Sequence, residues 1–293
     1  KLIVTASADH TARIWDVQTG QERLILSGHT DEVYGAVFSP DGQFVVTGSA
    51  DTTAKLWDIS MGRELRTFSG SQGPIRSIAI SPDGRNLLTG SGEGEVWLWD
   101  LATGERVVSY VGHTAGIRSV AFSRDGARVL TGGSDQTARL WETQSGKILR
   151  TFSGHSDAVY SAAISADSRL VATGSSDNTA RLWDVSTGQL LQTLSGHTGS
   201  IRNISFSPDD QFVLTASGDN TARIWEVSTG AVIRTLRGHA DKMWSAAYSP
   251  DGQYVLTSSR DRSAKLWAVA GNPVGVTYRG HTGEVYGVAF SRD

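Results

Sequence analysis

GHTDEVYGAVFSPDGQFVVTGSADTTAKLWD, residues 28–58, decides how the rest of the chain is read. It holds His29, hydroxyls at Thr47 and Ser49, Asp51 and Trp57. A hydroxyl, an imidazole and a carboxylate in one short stretch are the ingredients of a hydrolytic triad. They are equally the ingredients of a structural brace. The two readings part on one point: an enzyme needs a single such set, whereas a brace can recur.

The set recurs. Tryptophan falls at 15, 57, 99, 141, 183, 225 and 267, a constant step of 42. Gly-His falls at 28–29, 112–113, 154–155, 196–197, 238–239 and 280–281, with Gly70-Ser71 in the one gap. The threonine column reads Thr5, Thr47, Thr89, Thr131, Thr173, Thr215 and Thr257. The aspartate column reads Asp9, Asp51, Asp135, Asp177, Asp219 and Asp261, with Glu93 in the remaining place. No insertion breaks the register. A period of this length marks an array of one supersecondary unit.

Within a unit the hydrophobic period is two. EVYGAVFS, QFVVTGS and AKLWDI read as short strands, and ELRTFSG (64–70) is a fourth leading to the next Gly-His. Ser39-Pro40-Asp41-Gly42, the 49–52 segment and Thr19-Gly20 supply turn chemistry between them. Four strands in each of seven units leave no room for helices.

Gly-His near the start of the unit and Trp-Asp near its end (15–16, 57–58, 99–100 and 183–184) resembles the WD-repeat (WD40) family over essentially the whole chain. Glu142 and Glu226 replace the acid conservatively, and Ala268 departs from it. The resemblance implies an all-β, seven-bladed β-propeller with four antiparallel strands per blade. Both chain ends fall inside one hairpin of a unit, so EVYGVAFS is expected to pair with LIVTAS. Residues 1–293 then form a single propeller whose closing blade combines 281–293 with 1–28. Such closure removes free sheet edges.

The turn near Asp51 and Thr52 places Thr47 opposite or diagonal to Trp57 on one sheet face. The threonine hydroxyl can then accept from the indole N–H and donate to His29, whose other nitrogen donates to Asp51. The resemblance likewise implies an Asp–His–Ser/Thr–Trp tetrad, with Ser49 as the alternative hydroxyl. The sets are His29, Thr47, Asp51 and Trp57; His113, Thr131, Asp135 and Trp141; His155, Thr173, Asp177 and Trp183; His197, Thr215, Asp219 and Trp225; His239, Thr257, Asp261 and Trp267; and His281 with Thr5, Asp9 and Trp15. The unit that loses its histidine (Ser71) also has Glu93 for its aspartate. Repetition makes these columns structural, so no catalytic residue is assigned and the chain is read as a non-enzyme.

Bulk properties narrow the remainder. With 293 residues, 39% hydrophobic and 19% charged, the chain reads as globular. A net charge of −3 supplies no basic field, which disfavours nucleic acid. No apolar run approaches the roughly 20 residues that span a membrane. The absence of cysteine removes disulfides, thiolates and cysteine zinc sites. His10 alone lies outside the histidine column, so neither metal nor cofactor is expected. The lack of a signal peptide points to the cytoplasm, and the lack of an initiator Met to a domain of a longer protein with flanking modules. Gly90-Ser91-Gly92-Glu93-Gly94 resembles a phosphate loop, but no helix follows it. Asn203-Ile204-Ser205 is a glycosylation sequon within an inner strand, and Asp209-Asp210 sits in a solvated turn.

Candidate recognition residues follow the Gly-His. Each innermost strand opens with an apolar residue (Val33, Ile75, Ile117, Val159, Ile201, Met243, Val285). The next column, pointing the other way, reads Tyr34, Arg76, Arg118, Tyr160, Arg202, Trp244 and Tyr286. The resemblance places that column on the rim of the central channel. Tyr, Trp and Arg dominate interface hot spots; the alternative is that they cap the blades, arginine stacked on ring. Lys242 and Arg260 are expected to extend a basic arc with Arg202, while Asp31, Glu32 and Glu284 make the closure side acidic. An acidic segment, a phosphate or a free carboxylate would suit the arginine side. The unit 71–112, with Gly73-Pro74 and with Trp97 where other units carry Lys or Arg, is either drifted or adapted to a partner. The leading expectation is a monomeric ring acting as a non-catalytic protein–protein interaction scaffold in a larger, bacterial signalling protein. Its partner is a protein or peptide with an acidic or phosphorylated segment. The alternative is a small-ligand-binding or enzymatic propeller working at the channel mouth.

Overall fold

The computed structural model describes residues 1–270 and 275–292. Asp293, the last residue of the expected closing blade, lies outside the described residues. Among those described there are 28 strands and no helix, arranged as seven four-stranded antiparallel sheets. Blade 1 runs from the innermost strand Val33–Phe38 through Phe44–Ser49 and Ala54–Asp58 to the outermost strand Arg63–Phe68. Blades 2 to 6 repeat that order along the chain. Blade 7 is composite: Val285–Phe290 is innermost and pairs with Leu2–Ser7, followed by Thr11–Asp16 and Glu22–Ser27. The closing ladder aligns Ile3 with Phe290, Val4 with Ala289 and Thr5 with Val288. The result is a seven-bladed propeller closed by its first and last strands.

Each second strand is buried on both faces. Phe44–Ser49 and Phe212–Ser217 each show one half-buried residue followed by five buried ones, because a neighbouring blade covers either side. The core is correspondingly divided, with one hydrophobic cluster at each of the seven interfaces. Val4, Ile14 and Leu26 of blade 7 pack with Val33, Val45 and Trp57 of blade 1. Leu256, Leu266 and Tyr278 of blade 6 pack with Ile3, Trp15 and Val285 of blade 7. Each such side chain contributes about 1.5–3 kcal/mol on burial, so packing between blades is a major source of the ring's stability.

Backbone approach sets which residues fit there. A Cβ on Gly90 would lie 2.6 Å from the Ile117 side chain, and one on Gly174 2.5 Å from that of Ile201. Where the next blade offers the unbranched Met243 instead, the matching position is Ala216, packed in the same cluster. Hydrogen bonds reinforce the interfaces at the inner strands. Ser77, Ser119 and Ser161 accept from the amides of Val120, Ala162 and Ile204 of the next blade at 3.0, 3.2 and 3.1 Å. At the outer strands Arg66 reaches the carbonyls of Ala102 and Thr103 at 2.5 Å, and Arg234 those of Ala268 and Val269 at 2.7 and 2.6 Å.

One irregularity recurs and governs the site. Val33 pairs with Ser49, but Gly35 already pairs with Gly48, which leaves Tyr34 as an extra residue. The same skip occurs at Arg76, Arg118, Tyr160, Arg202, Trp244 and Tyr286. Each is a β-bulge, which re-aims a side chain out of the regular pleat.

Candidate functional site

The buried hydroxyl–imidazole–carboxylate sets come first, because they held the only triad-like chemistry. In blade 4 the Trp183 indole N–H donates to the Thr173 hydroxyl at 2.9 Å. His155 Nε2 lies 2.8 Å from the same hydroxyl, and Nδ1 lies 2.8 Å from Asp177. Because the indole can only donate, the Thr173 proton is directed to Nε2 and Nδ1–H to the carboxylate. Asp177 also accepts from the Thr179 hydroxyl and amide and from the Ser156 amide. Burial pushes the Asp177 carboxyl up, but its hydrogen bonds from Thr179 and His155 outweigh that and hold it at about 2. Burial pushes His29, His113 and His155 down, against the upward pull of their aspartates. The imidazoles are therefore neutral at pH 7 and the carboxylates charged.

The same contacts join His29 to Thr47 and Asp51, His113 to Thr131 and Asp135, and His197 to Thr215 and Asp219, all at 2.7–2.8 Å. They also join His239 to Thr257 and Asp261, and His281 to Thr5 and Asp9. Trp15, Trp57, Trp141, Trp225 and Trp267 donate to their threonines. Trp57 stands diagonal to Thr47, whose direct partner is Lys55. Ser49 instead donates to the Asp31 carbonyl, so threonine is the bridging hydroxyl. A hydroxyl bonded on both sides beneath an imidazole whose side chain is 2% exposed or less has no route to a substrate.

Blade 2 differs from the sequence alignment of the columns. Glu93, which fills the aspartate place in the repeat, is exposed. The carboxylate comes from Glu95, two residues on, where other blades carry Thr or Ser. It accepts from the Ser71 hydroxyl at 3.0 Å and the Gln72 amide at 2.8 Å, while Trp99 still donates to Thr89. The longer glutamate spans the space that the missing imidazole leaves.

The bulge column converges on one mouth of the channel. Tyr34, Arg76, Arg118, Tyr160, Arg202, Trp244 and Tyr286, with Glu32, line a cavity of about 360 Å³. All seven are half-buried. They also touch in sequence around the ring. The Arg76 guanidinium lies 4.7 Å from the Tyr34 ring; Tyr34 and Tyr286 are 5.3 Å apart, as are Tyr286 and Trp244. Arg202 lies over both Trp244 and Tyr160 at 4.9 and 4.4 Å, and Arg118 lies 5.3 Å from Tyr160. Two acids serve the aromatic side: Glu32 accepts from the Tyr286 hydroxyl, and Glu284 from the Trp244 indole. Among the described residues, no carboxylate forms an ion pair with Arg76, Arg118 or Arg202.

Lys242 and Arg260 stand apart from this lining. Arg260 pairs with Glu284 at 2.7 Å and with Asp241 at 3.8 Å, so its charge is matched by its own neighbours. Lys242 is exposed and adds no side chain to the cavity wall.

The comparisons match this geometry. A family profile described as "IFT122 first beta-propeller" matches residues 116–293, and one described as "WD domain, G-beta repeat" matches 1–16, 20–58 and 62–100. The chain belongs to the WD-repeat (WD40) β-propeller family. Over 42 residues this WD-repeat propeller is 50% identical to Coronin-7 of Mus musculus, covering 14% of the chain and 5% of that protein. Over 43 residues it is 46% identical to Ribosome assembly protein 4 of Chaetomium thermophilum, covering 15% and 8%. Over 41 residues it is 51% identical to Nuclear distribution protein PAC1-2 of Postia placenta, covering 14% and 10%. The chain thus spans a tenth or less of these curated relatives. WD-repeat propellers are typically non-catalytic scaffolds that bind protein partners.

Three features of this propeller went unread in the sequence. The sequence places Glu32 on an acidic flank, whereas in the structure it lines the mouth and holds Tyr286. The serine column at 77, 119 and 161 bridges blades, a role that its period of 42 signals only in retrospect. Trp97 is covered by Arg106 at 4.3 Å, where blade 1 has the ion pair Lys55–Glu64 at 2.8 Å.

Proposed function

We propose that this propeller is a non-catalytic platform that takes a segment of a protein partner at the channel mouth, with acidic groups of the segment on Arg76, Arg118 and Arg202. The observation that carries this reading is the stacked ring of seven bulge residues, in which three arginines are oriented by aromatic neighbours and none has an ion-pair partner. Arginines held planar on aromatic faces lose little rotamer entropy when they bond an anion, and buried aromatic and arginine anchors concentrate binding energy. Close similarity between successive repeats supports a place as the recognition module of a larger, bacterial signalling protein. A catalytic or small-ligand mouth would need free carboxylates or histidines there. Glu32 and Glu284 are bonded to Tyr286 and Trp244, and no histidine lines the cavity.

The test is capture of partners from a lysate with the wild type and with an Arg118→Glu, Trp244→Ala double variant. Loss of specific partners at an unchanged melting temperature is expected. Unchanged capture would move the site to the opposite face or to the blade sides.

A further inference from the structure

Away from the mouth, at the far end of the strands, a cleft of about 560 Å³ opens between blades 1 and 2. Its volume lies within the range of preformed binding pockets. The wall is apolar, built from Phe44, Leu56 and Leu65 of blade 1 and Leu101 of blade 2. Leu65, 39% exposed, is an extra residue of the outermost strand, skipped where Leu56 pairs with Arg66 and Trp57 with Glu64. A bulge of this kind turns a side chain out of the pleat. Arg66 fixes the two walls relative to each other, because its guanidinium bonds the carbonyls of Ala102 and Thr103 at 2.5 Å.

Three carboxylates stand around the apolar wall: Asp41, Asp83 and Asp100. The Ser39 and Ser81 hydroxyls and the Thr103 amide hold them below the ordinary carboxylate range, so all three are charged at pH 7. The Ser39 hydroxyl and the Gln43 amide both reach Oδ1 of Asp41, and the Ser81 hydroxyl and the Arg85 amide both reach Oδ1 of Asp83. Oδ2 of each is left to accept from outside. Arg85 is the single cation of the lining among the described residues. The fold does not impose this combination. At the same position between blades 3 and 4, Arg128 replaces Phe44, Arg150 and Arg169 join it, and Asp184 is the one acid of a cleft of about 570 Å³.

We infer that the cleft between blades 1 and 2 is a second docking site, which seats a large aliphatic side chain of a protein segment flanked by lysine or arginine. The apolar wall removes the aliphatic group from water, and the carboxylates around it accept from the flanking cations. The charge balance excludes the opposite chemistry: an acidic segment, which suits the mouth, is repelled here, and so is an anionic bilayer. None of the residues lining this cleft lines the mouth, so the site neither requires nor replaces the reading given above.

The experiment uses three immobilised libraries of short random peptides with fixed centres: leucine between two lysines, leucine between two glutamates, and serine between two lysines. The wild-type propeller is expected to retain the first about tenfold or more over each of the others, as one buried aliphatic side chain and one charge-assisted bond allow. Leu65→Ser is expected to erase the preference for leucine, and Asp41→Asn with Asp83→Asn the preference for lysine. If either variant melts lower than wild type, Ala102→Lys replaces it, because that residue is exposed at the cleft and the added cation should repel the first library. The Arg118→Glu, Trp244→Ala variant should retain the first library as the wild type does, which separates the cleft from the mouth. Equal retention of the leucine and serine libraries, or of the lysine and glutamate libraries, overturns the assignment, as does retention of none. A preference that survives the cleft variants, or that the mouth variant abolishes, overturns it by placing the segment elsewhere. A wild-type dimer in sedimentation that Leu65→Ser dissolves overturns it in favour of a second copy of the chain.

Discussion

His155→Ala isolates the brace from the mouth. The substitution removes two contacts of 2.8 Å, one to Thr173 and one to Asp177. Asp177 keeps three donors from Thr179 and Ser156, so its carboxylate stays solvated by the chain. The Thr173 hydroxyl, 1% exposed, loses its acceptor outright. An unmade bond of that kind costs about 1–3 kcal/mol, and the lost bond to a charged group about 1.5 kcal/mol. Removing the imidazole also opens a space against the Trp183 ring, whose centroid is 6.4 Å from that of the histidine. The two losses together come to about 2.5–4.5 kcal/mol. At about 2 °C per kcal/mol for a domain of this size, the melting temperature should fall by about 5–9 °C. Trp183→Phe leaves the Thr173–His155 bond but removes the indole N–H and part of a buried ring, so it should cost about 1 kcal/mol for the bond plus a penalty for the void left in its core cluster. Differential scanning calorimetry reads both. His155 does not line the mouth, so partner capture by the folded variant should be unchanged. A His155→Ala protein that melts like wild type but loses its partner would refute the structural assignment.

Gly174→Ala should destabilise the propeller by about 1–3 kcal/mol through overpacking against Ile201. Adding Ile201→Met, which removes the branch at Cβ, should recover most of the loss in urea denaturation; a loss that persists would locate the strain elsewhere. In blade 2, Trp97→Lys sets a cation beside Arg106 and should lower stability. Arg106→Glu added to it should recreate the pair seen at Lys55–Glu64, with a coupling energy below about 1 kcal/mol in a double-mutant cycle. Stability should also fall on acidification in two stages. His29, His113 and His155 are held below their ordinary value of 6.5, so the unfolded chain takes up protons first and stability declines as pH drops below about 6.5. The depressed aspartates, Asp177 among them at about 2, add a second loss as pH falls from the unfolded value of 3.8. Urea midpoints that stay level from pH 7 to pH 3 would contradict both.

The fold was legible because the period of 42 carries both strand length and turn chemistry, so one correctly read unit gives seven. The brace was legible for a related reason: Thr47 and Trp57 share a sheet face by hairpin geometry, and a buried indole must find an acceptor. Blade 2 was not. Sequence register assigns its acid to Glu93, whereas side-chain length decides that Glu95 reaches Ser71. The mouth was half legible. The period puts Tyr34, Arg76 and their counterparts in one column, the family resemblance puts that column on a rim, and their residue types fit both partner binding and arginine stacking. Which pairs touch depends on the bulge and on the curvature of the ring, neither of which leaves a residue signature. The expected basic arc through Arg260 failed to anticipate an ion pair across two blades, to Glu284, which lies 24 positions further along the chain.

The extra residue at the head of every inner strand has a wider consequence. A side chain in register must suit the one facing it across the ladder, but Tyr34 and its six counterparts face none. Exchanging them alters the contacts within the mouth but not the ladder pairing beneath it. A library randomised at these seven codons alone would therefore sample new binding surfaces on a constant frame.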